Sequence, residues 1–385
     1  MAKPGPDHKL REALAERARA GNLRQLSSSD GGIDFCSNDY LGLARSNRLR
    51  TRIDRIRAKH PLAPLGATGS RLISGNSEAA EHLEARLAAY HRSEAGLLFG
   101  SGYAANSGLL ACIAGPGDTL IMDELIHASS IDGAHLSKAR KLIFRHNDLD
   151  DLAARLDMAS GAIFISVESL YSMGGDTAPL PEMAVLADEY GAGLVVDEAH
   201  SNGVTGPAGA GSVVENSLED HVFARVHTFG KGLGLHGAVA LGSKTLRDYL
   251  VNFCRPFVFS TAPSRESLDR IEAAYELLPE LDAEREQLFS LVRHARAAIR
   301  ESSFRWLDSS TWIQAVVIPG NDQVLATAGR LGDLGFDVKA IRAPSVPPGS
   351  ECIRICLHAF NTVDEIDRLM AALENLQCVD MSLRA

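Results

Sequence analysis

No Cys-x-x-Cys pair occurs among the cysteines at 36, 112, 254, 352, 356 and 378. A paired-thiol metal or redox site is therefore not expected. Cys352, Cys356 and His358 have the even spacing that could place them on one strand face. No second ligand pair stands out, so ordinary buried thiols are the better reading and no metal is expected. No leader-like segment is seen, which predicts reduced thiols and a cytoplasmic protein. No apolar run approaches the length of a membrane span, so no membrane insertion is expected. Asp197-Glu-Ala-His200 spells the acidic box of some helicases, but no Gly-x-x-x-x-Gly-Lys-Ser/Thr phosphate loop accompanies it. The net charge of −10 argues against a nucleic-acid partner. Internal repeats and low-complexity tracts are also missing.

What is present is a chain of 385 residues, 45% hydrophobic and 23% charged, ample for a sizeable core and two domains. Two stretches carry the chemistry. In Val226-His-Thr-Phe-Gly-Lys-Gly-Leu-Gly234 a β-branched and aromatic run ends in a glycine-flanked lysine. In Gly193-Leu-Val-Val-Asp-Glu-Ala-His200 an apolar strand ends in a carboxylate and then a histidine. Chemistry in open α/β sheets collects beyond the carboxyl ends of strands. Taken alone, Lys231 is best read as a solvated lysine in a glycine turn. Joined to Asp197 and His200 it suits a Schiff-base site. The carboxylate can hold a protonated pyridine nitrogen, and backbone N–H groups can hold a phosphate. Those are the parts needed for pyridoxal 5′-phosphate (PLP). Gly232-Leu-Gly-Leu-His-Gly237 also matches the dinucleotide fingerprint, which requires a following helix. The run Gly237-Ala-Val-Ala-Leu241 reads as a strand instead.

Along the chain, Lys9 to Arg19 reads as a charged helix, Ser27 to Gly32 as a loop and Ile33 to Ser37 as a short strand. Asn38-Asp-Tyr-Leu-Gly-Leu43 is a turn. Gly66 to Gly75 is a glycine and hydroxyl loop whose small residues suggest close approach to a ligand. Asn76 or Ser77 then caps a helix to about Tyr90. Strands are expected at Ala95–Phe99, Thr119–Met122, Lys141–Phe144 and Ala162–Val167, with helices at Ala104–Ala114 and Pro181–Tyr190. A strand, Gly100-Ser-Gly-Tyr103 and a helix N-terminus in succession make an anion site. His127 lies just past a strand end. Near-continuous apolar strands separated by helices predict an α/β fold with a mostly parallel sheet covered on both faces. Long charged helices follow from about Arg265 to Ser302. Strands at Ile313–Ile318 and Cys352–Leu357, with helices after Asn321 and Thr362, predict a smaller α+β C-terminal domain. The expected division is an N-terminal segment over 1–50, a large domain over 51–287 and a small domain over 288–385.

With these residues assembled, the chain resembles the α-oxoamine synthases from about residue 33 onward. The motifs are Ser37-Asn-Asp-Tyr-Leu-Gly-Leu43, Gly69-Ser-Arg-Leu-Ile-Ser-Gly75, Ser101-Gly-Tyr-Ala-Ala-Asn106, His127-Ala-Ser129, Arg145-His-Asn-Asp148, Tyr171-Ser-Met173, Val196-Asp-Glu-Ala-His200 and Thr228-Phe-Gly-Lys231. The resemblance implies an aspartate-aminotransferase-like fold (PLP fold type I) with a seven-stranded-type sheet, and a homodimer. It implies a reaction joining L-alanine to a pimeloyl thioester; other members use other amino acids and acyl chains. Lys231 would carry PLP, Asp197 would pair with the ring nitrogen, and His127 would stack on the ring. His200 and Ser172 would meet the phenolic oxygen. Gly102 and Tyr103 N–H groups, with Thr228, would bind phosphate, and Thr261 would reach the neighbouring subunit's cofactor. Arg354, Asn38 and Ser74 would meet substrate, Arg354 through the amino acid carboxylate. Gly174 stands where the family often has aspartate, and His236 where many members carry serine.

Overall fold

The computed structural model describes residues 5–26 and 31–382. The expected loop at 27–32 lies largely outside them. The chain divides into two compact units. The first comprises Met1–Ser37, Met173–Gly175 and Leu288–Ala385, and the second comprises Asn38–Ser172 and Asp176–Gln287. The segment expected over 1–50 falls partly in each unit, with the division after Ser37. Residues up to Ser37 group with the C-terminal region, where Ile33–Asp34 pairs in parallel with Phe336–Asp337. That strand is shorter than expected because Asp34 Oδ1 accepts the N–H groups of Cys36 and Ser37, at 3.0 and 2.9 Å, and turns the chain.

The second unit is built on a seven-stranded sheet. Its strands are β1 (Ala95–Phe99), β2 (Thr119–Asp123), β3 (Arg140–Phe144), β4 (Ile163–Glu168), β5 (Gly193–Asp197), β6 (Ala224–Thr228) and β7 (Ala238–Gly242). The order is β1-β7-β6-β5-β4-β2-β3. Only β7 runs against its neighbours β1 and β6; the other pairings are parallel. Successive side chains point to opposite faces. Val195 packs with Leu97, Leu109 and Phe257 on one side. Val196 packs with Ile121, Leu152 and Met183 on the other. Both faces of the central strands are buried, which is why most of them read as near-continuous apolar runs, whereas the edge strand β3 is largely exposed. Each fully buried Leu, Val or Phe contributes about 1.5–3 kcal/mol.

Helix ends follow their capping residues. Ser77, rather than Asn76, caps the helix Glu78–Tyr90 by accepting from Ala80 N–H. Ser101 caps the helix Gly102–Ile113, which begins two residues before the expected Ala104. The helix Leu180–Tyr190 stops at Gly191, whose φ is 62°. Pro279 interrupts the long stretch after Arg265: the helix Arg265–Leu277 gives way to a short turn at Leu278–Glu280 before the helix Asp282–Glu301 begins.

The first unit carries a three-stranded antiparallel sheet of β8 (Ile313–Val317), β9 (Lys339–Ile341) and β10 (Cys352–Cys356), in the order β9-β10-β8. Every residue of β10 is buried, Arg354 included at 9% exposure. The strand is therefore covered on both faces, not on the isoleucine face alone. Among the described residues, no helix is long and apolar enough to cross a membrane.

Candidate active site

Parallel pairing brings the carboxyl ends of β4, β5 and β6 to one edge, at Glu168, Asp197 and Thr228. A cavity of about 290 Å³ opens there. It is lined by Lys231, Asp197, His127, Thr228, Gly102 and Tyr103, and also by Asn38, Glu168 and His236. The glycines around Lys231 serve close packing. A Cβ on Gly232 would stand 2.6 Å from the Asn202 carbonyl oxygen, and Gly234 has φ 64°. Strand β7, not a helix, succeeds this glycine run, so the dinucleotide fingerprint is incomplete.

Lys231 Nζ lies 2.6 Å from His200 Nε2, and His200 Nδ1 lies 2.6 Å from Tyr40 Oη. Tyr40 has one hydroxyl proton and donates it to Asn38 Oδ1 at 2.9 Å. His200 Nδ1–H must then donate to Tyr40 Oη, which leaves the Nε2 lone pair to accept from Lys231. Tyr40 and His200 are buried, and Tyr40 was not among the expected site residues.

Asp197 is fixed by two donors, Asn106 Nδ2 at 2.6 Å and Ala199 N–H at 2.9 Å. Asn106 also donates to Ser129 Oγ at 3.2 Å. His127 caps the helix Ala128–Leu136: its Nδ1 accepts from Ser129 N–H at 3.2 Å and lies 2.7 Å from Ser129 Oγ. Burial holds the His127 imidazole below its ordinary pKa; the Asp197 charge opposes this and Lys231 adds to it. A neutral ring with Nδ1 occupied as an acceptor carries its proton on Nε2.

Glu168 is a site residue that sequence reasoning missed. It is 3% exposed, stands directly across from Asp197 in the β4–β5 register, and its Oε1 has no hydrogen-bond partner. Burial pushes its pKa up to about 8; the Asp197 charge adds to the shift and Lys231 opposes it. Glu168 therefore keeps its proton at neutral pH. The available signal was Glu168 at the end of an apolar run, the same pattern that marked Asp197.

Not every expected residue reaches the cavity. Ser172 lies on the loop after β4, outside the lining. Thr261 is exposed and pairs with Ser70, while Ala262 N–H donates to Gly69 O at 2.9 Å. This zips the glycine and hydroxyl loop onto residues 261–262, and Ser74 lines a different cavity of about 720 Å³. Arg354 belongs to the first unit. Within that unit a further cavity of about 400 Å³ is lined by Arg17, Arg24, Lys339 and Arg342. Arg342 donates to Gly21 O at 2.7 Å, and Arg24 to Ser345 Oγ at 3.0 Å.

Residues 30–373 match the family model for aminotransferase class I and II. The chain belongs to that family. It is 42% identical to an 8-amino-7-oxononanoate synthase of Emericella nidulans, over 94% of each chain. Its structure resembles a serine palmitoyltransferase of Sphingomonas wittichii with a TM-score of 0.88 and 26% identity, covering 97% of this chain and 98% of that one. A solved structure of SPT with PLP gives a TM-score of 0.88 at 27% identity, over 97% and 98% of the two chains. The fold expected from the sequence, with its mostly parallel seven-stranded sheet, is thus the family's fold.

The cavity fits PLP on its own geometry. Gly102 opens the first turn of a helix, where N–H groups have no partner within the helix. A Cβ at Gly102 would stand 2.2 Å from the Thr228 methyl carbon, so any larger residue would fill the space beside that turn. An anion is well placed there. Asp197, the flat imidazole of His127 and the Lys231 amine complete the set that the cofactor's ring nitrogen, ring face and aldehyde require.

Proposed function

We propose that this chain is a PLP-dependent acyltransferase that condenses L-alanine with a pimeloyl thioester, losing carbon dioxide and giving 8-amino-7-oxononanoate, a biotin precursor. The observation that carries this reading is one cavity lined by Lys231, Asp197 and His127, with His200 in contact with Lys231, in a chain 42% identical to an 8-amino-7-oxononanoate synthase. When bound, PLP supplies an electron sink for a carbanion at the amino acid Cα. Lys231 Nζ, oriented by His200 Nε2, would hold the cofactor and serve as the base that moves the Cα proton. The Asp197 carboxylate would keep the ring nitrogen protonated, and His127 would hold the ring flat. His200 and Ser172 would face the phenolic oxygen. The N–H groups of Gly102 and Tyr103, with Thr228, would bind phosphate. Asn38, Ser74 and Arg354 would orient the substrates.

The same reading includes a cytoplasmic homodimer in which Thr261 serves the partner's cofactor. Its exposure and its place outside the lining of its own cavity support that assignment. The runner-up is another α-oxoamine synthase, such as serine palmitoyltransferase or 2-amino-3-ketobutyrate CoA ligase. A non-catalytic PLP-fold protein would have no use for an amine held on a histidine lone pair.

Mass spectrometry of products from alanine, serine and glycine, each offered with pimeloyl-CoA and palmitoyl-CoA, tests the proposal. A product of alanine and pimeloyl-CoA with the mass of 8-amino-7-oxononanoate is expected. Turnover confined to serine with palmitoyl-CoA would overturn it.

A further inference from the structure

The motif Arg145-His-Asn-Asp148 lies outside the cavity lining, and the proposed chemistry makes no use of it. His146 sits between two carboxylates: Nδ1 is 2.9 Å from Asp123 Oδ1, and Nε2 is 2.6 Å from Asp176 Oδ2. Ionised carboxylates only accept, so both ring nitrogens must donate, and the imidazole must be doubly protonated. Its ring meets Tyr171 edge-on with centroids 4.4 Å apart.

The two acids come from different segments. Asp123 closes β2 and shapes the turn that leads to His127, accepting from Leu125 N–H at 2.8 Å. Its other oxygen accepts from Asn147 N–H at 3.0 Å, and Glu124 Oε1 accepts from His146 N–H at 3.0 Å. Asp176 lies beyond the loop that follows Glu168, where its carbonyl accepts from Tyr171 N–H at 2.9 Å. Asn147 Nδ2 reaches the same Asp176 oxygen at 3.0 Å.

We propose that His146 is a positioning residue: held as an imidazolium between Asp123 and Asp176, it fixes the turn that delivers His127 against the loop that follows Glu168. The role rests on the proposed PLP site, because His127 is the group it would position against the ring. Every side chain facing His146 has a place in this balance. Asp123, Glu124 and Asp176 are acidic, Tyr171 is neutral, and the uncharged Asn147 amide lies 3.3 Å from His146 Nε2 while donating to Asp176. From its own segment Arg145 pairs with Asp148 at 2.7 Å and lies near Asp151. Partial burial would lower the His146 pKa, but the bonds from Asp123 and Asp176 overcome it and lift it to about 10. The charge therefore persists across the physiological range.

Equilibrium dialysis of the full chain against PLP tests the role without measuring turnover. His146→Gln leaves two carboxylates facing an uncharged amide and should weaken PLP binding about tenfold. Adding Asp176→Asn removes one of the facing charges and should restore most of that affinity. Wild-type affinity in His146→Gln, or a deeper loss in the double variant, would overturn the proposal. If His146→Gln does not fold, nitrogen NMR of the wild-type imidazole decides. Two protonated ring nitrogens through neutral pH are expected, and a titration near the ordinary value of about 6.5 overturns the role. A wild-type chain that takes up no PLP would overturn the cofactor reading, and this role with it. Normal PLP uptake by both wild type and His146→Gln would overturn the positioning role alone.

Discussion

Tyr40 Oη stands 2.6 Å from His200 Nδ1, and this contact decides which face of the imidazole Lys231 meets. The tyrosine passes its own proton to Asn38, so His200 must donate at Nδ1 and accept at Nε2. Tyr40→Phe removes the acceptor for Nδ1–H and frees the other tautomer. It is expected to reduce kcat/KM roughly tenfold, the cost of one strong buried hydrogen bond. Steady-state kinetics on alanine would check this. Borohydride reduction of the PLP-loaded chain should still label the peptide containing Lys231. A label on Lys244 would sink the Schiff-base assignment.

Glu168 gives the site a pH signature. Its pKa is about 8 in the folded chain against an ordinary 4.5. Between these values the folded chain keeps a proton that the unfolded chain has released. The folded state binds more protons there, so stability falls as pH rises from 4.5 toward 8. Glu168→Gln keeps the shape and the neutral state but cannot ionise. Thermal melts of the variant should show a flatter pH dependence over that window and a higher Tm than wild type above it. Parallel melting curves for the two proteins across the window would contradict the assignment of a neutral carboxyl.

Arg71 of the Gly69–Gly75 motif holds Glu84 through two bonds of 2.7 and 3.0 Å, with both side chains 5% exposed. Arg71 Nε also binds Asn76 Oδ1 at 2.7 Å, and Glu84 Oε1 accepts from Leu98 N–H at 2.9 Å. The motif is thus anchored to the helix Glu78–Tyr90 and to β1. Glu84→Ala strands a buried guanidinium and should cost about 3–5 kcal/mol in denaturant unfolding. Pairing Arg71→Met with Glu84→Leu should recover part of this. The unpaired Leu98 N–H would retain a penalty of about 1–3 kcal/mol. A double variant no more stable than Glu84→Ala alone would count against a paired-charge explanation.

Legibility from the chain alone depended on whether a residue's partner lies on the same segment. Asp197 and Lys231 were legible because each ends an apolar run, and strand ends in such sheets carry chemistry. Glu168 ends a run as well, but its pairing with Asp197 arises from β4 lying beside β5, and strand order leaves no mark in local periodicity. His146 posed the same difficulty, since its two acids come from segments 23 and 30 residues away. The run at 237–241 announced a strand, but an apolar stretch has no direction, and the antiparallel setting of β7 was not visible. The pairing of the loop that carries Ser74 was hidden for a related reason. Small residues in a loop permit close approach, yet here the approach is to residues 261–262 rather than to the cavity.

Arg354 provides the last test. The β10 register sets Lys339 on one side of it and Ala315 on the other. All five residues of the strand are buried, so a solvated arginine on a half-open sheet is no longer an adequate description. The resemblance assigns its planar fork to the amino acid substrate. The amino acid carboxylate offers two oxygens that match the fork. Arg354→Lys keeps the charge and loses the fork, so it should weaken alanine binding. Arg354→Ala loses both. It should raise the alanine concentration for half-saturation at least about tenfold, because a bond to a charged group contributes roughly 1.5–3 kcal/mol. PLP uptake should be unchanged in both, since the groups proposed to hold the cofactor stand on other elements. The measurement is a spectral titration of the PLP-loaded chain with alanine. If wild type and both variants saturate at the same concentration, the arginine serves the packing of its own sheet and not the substrate.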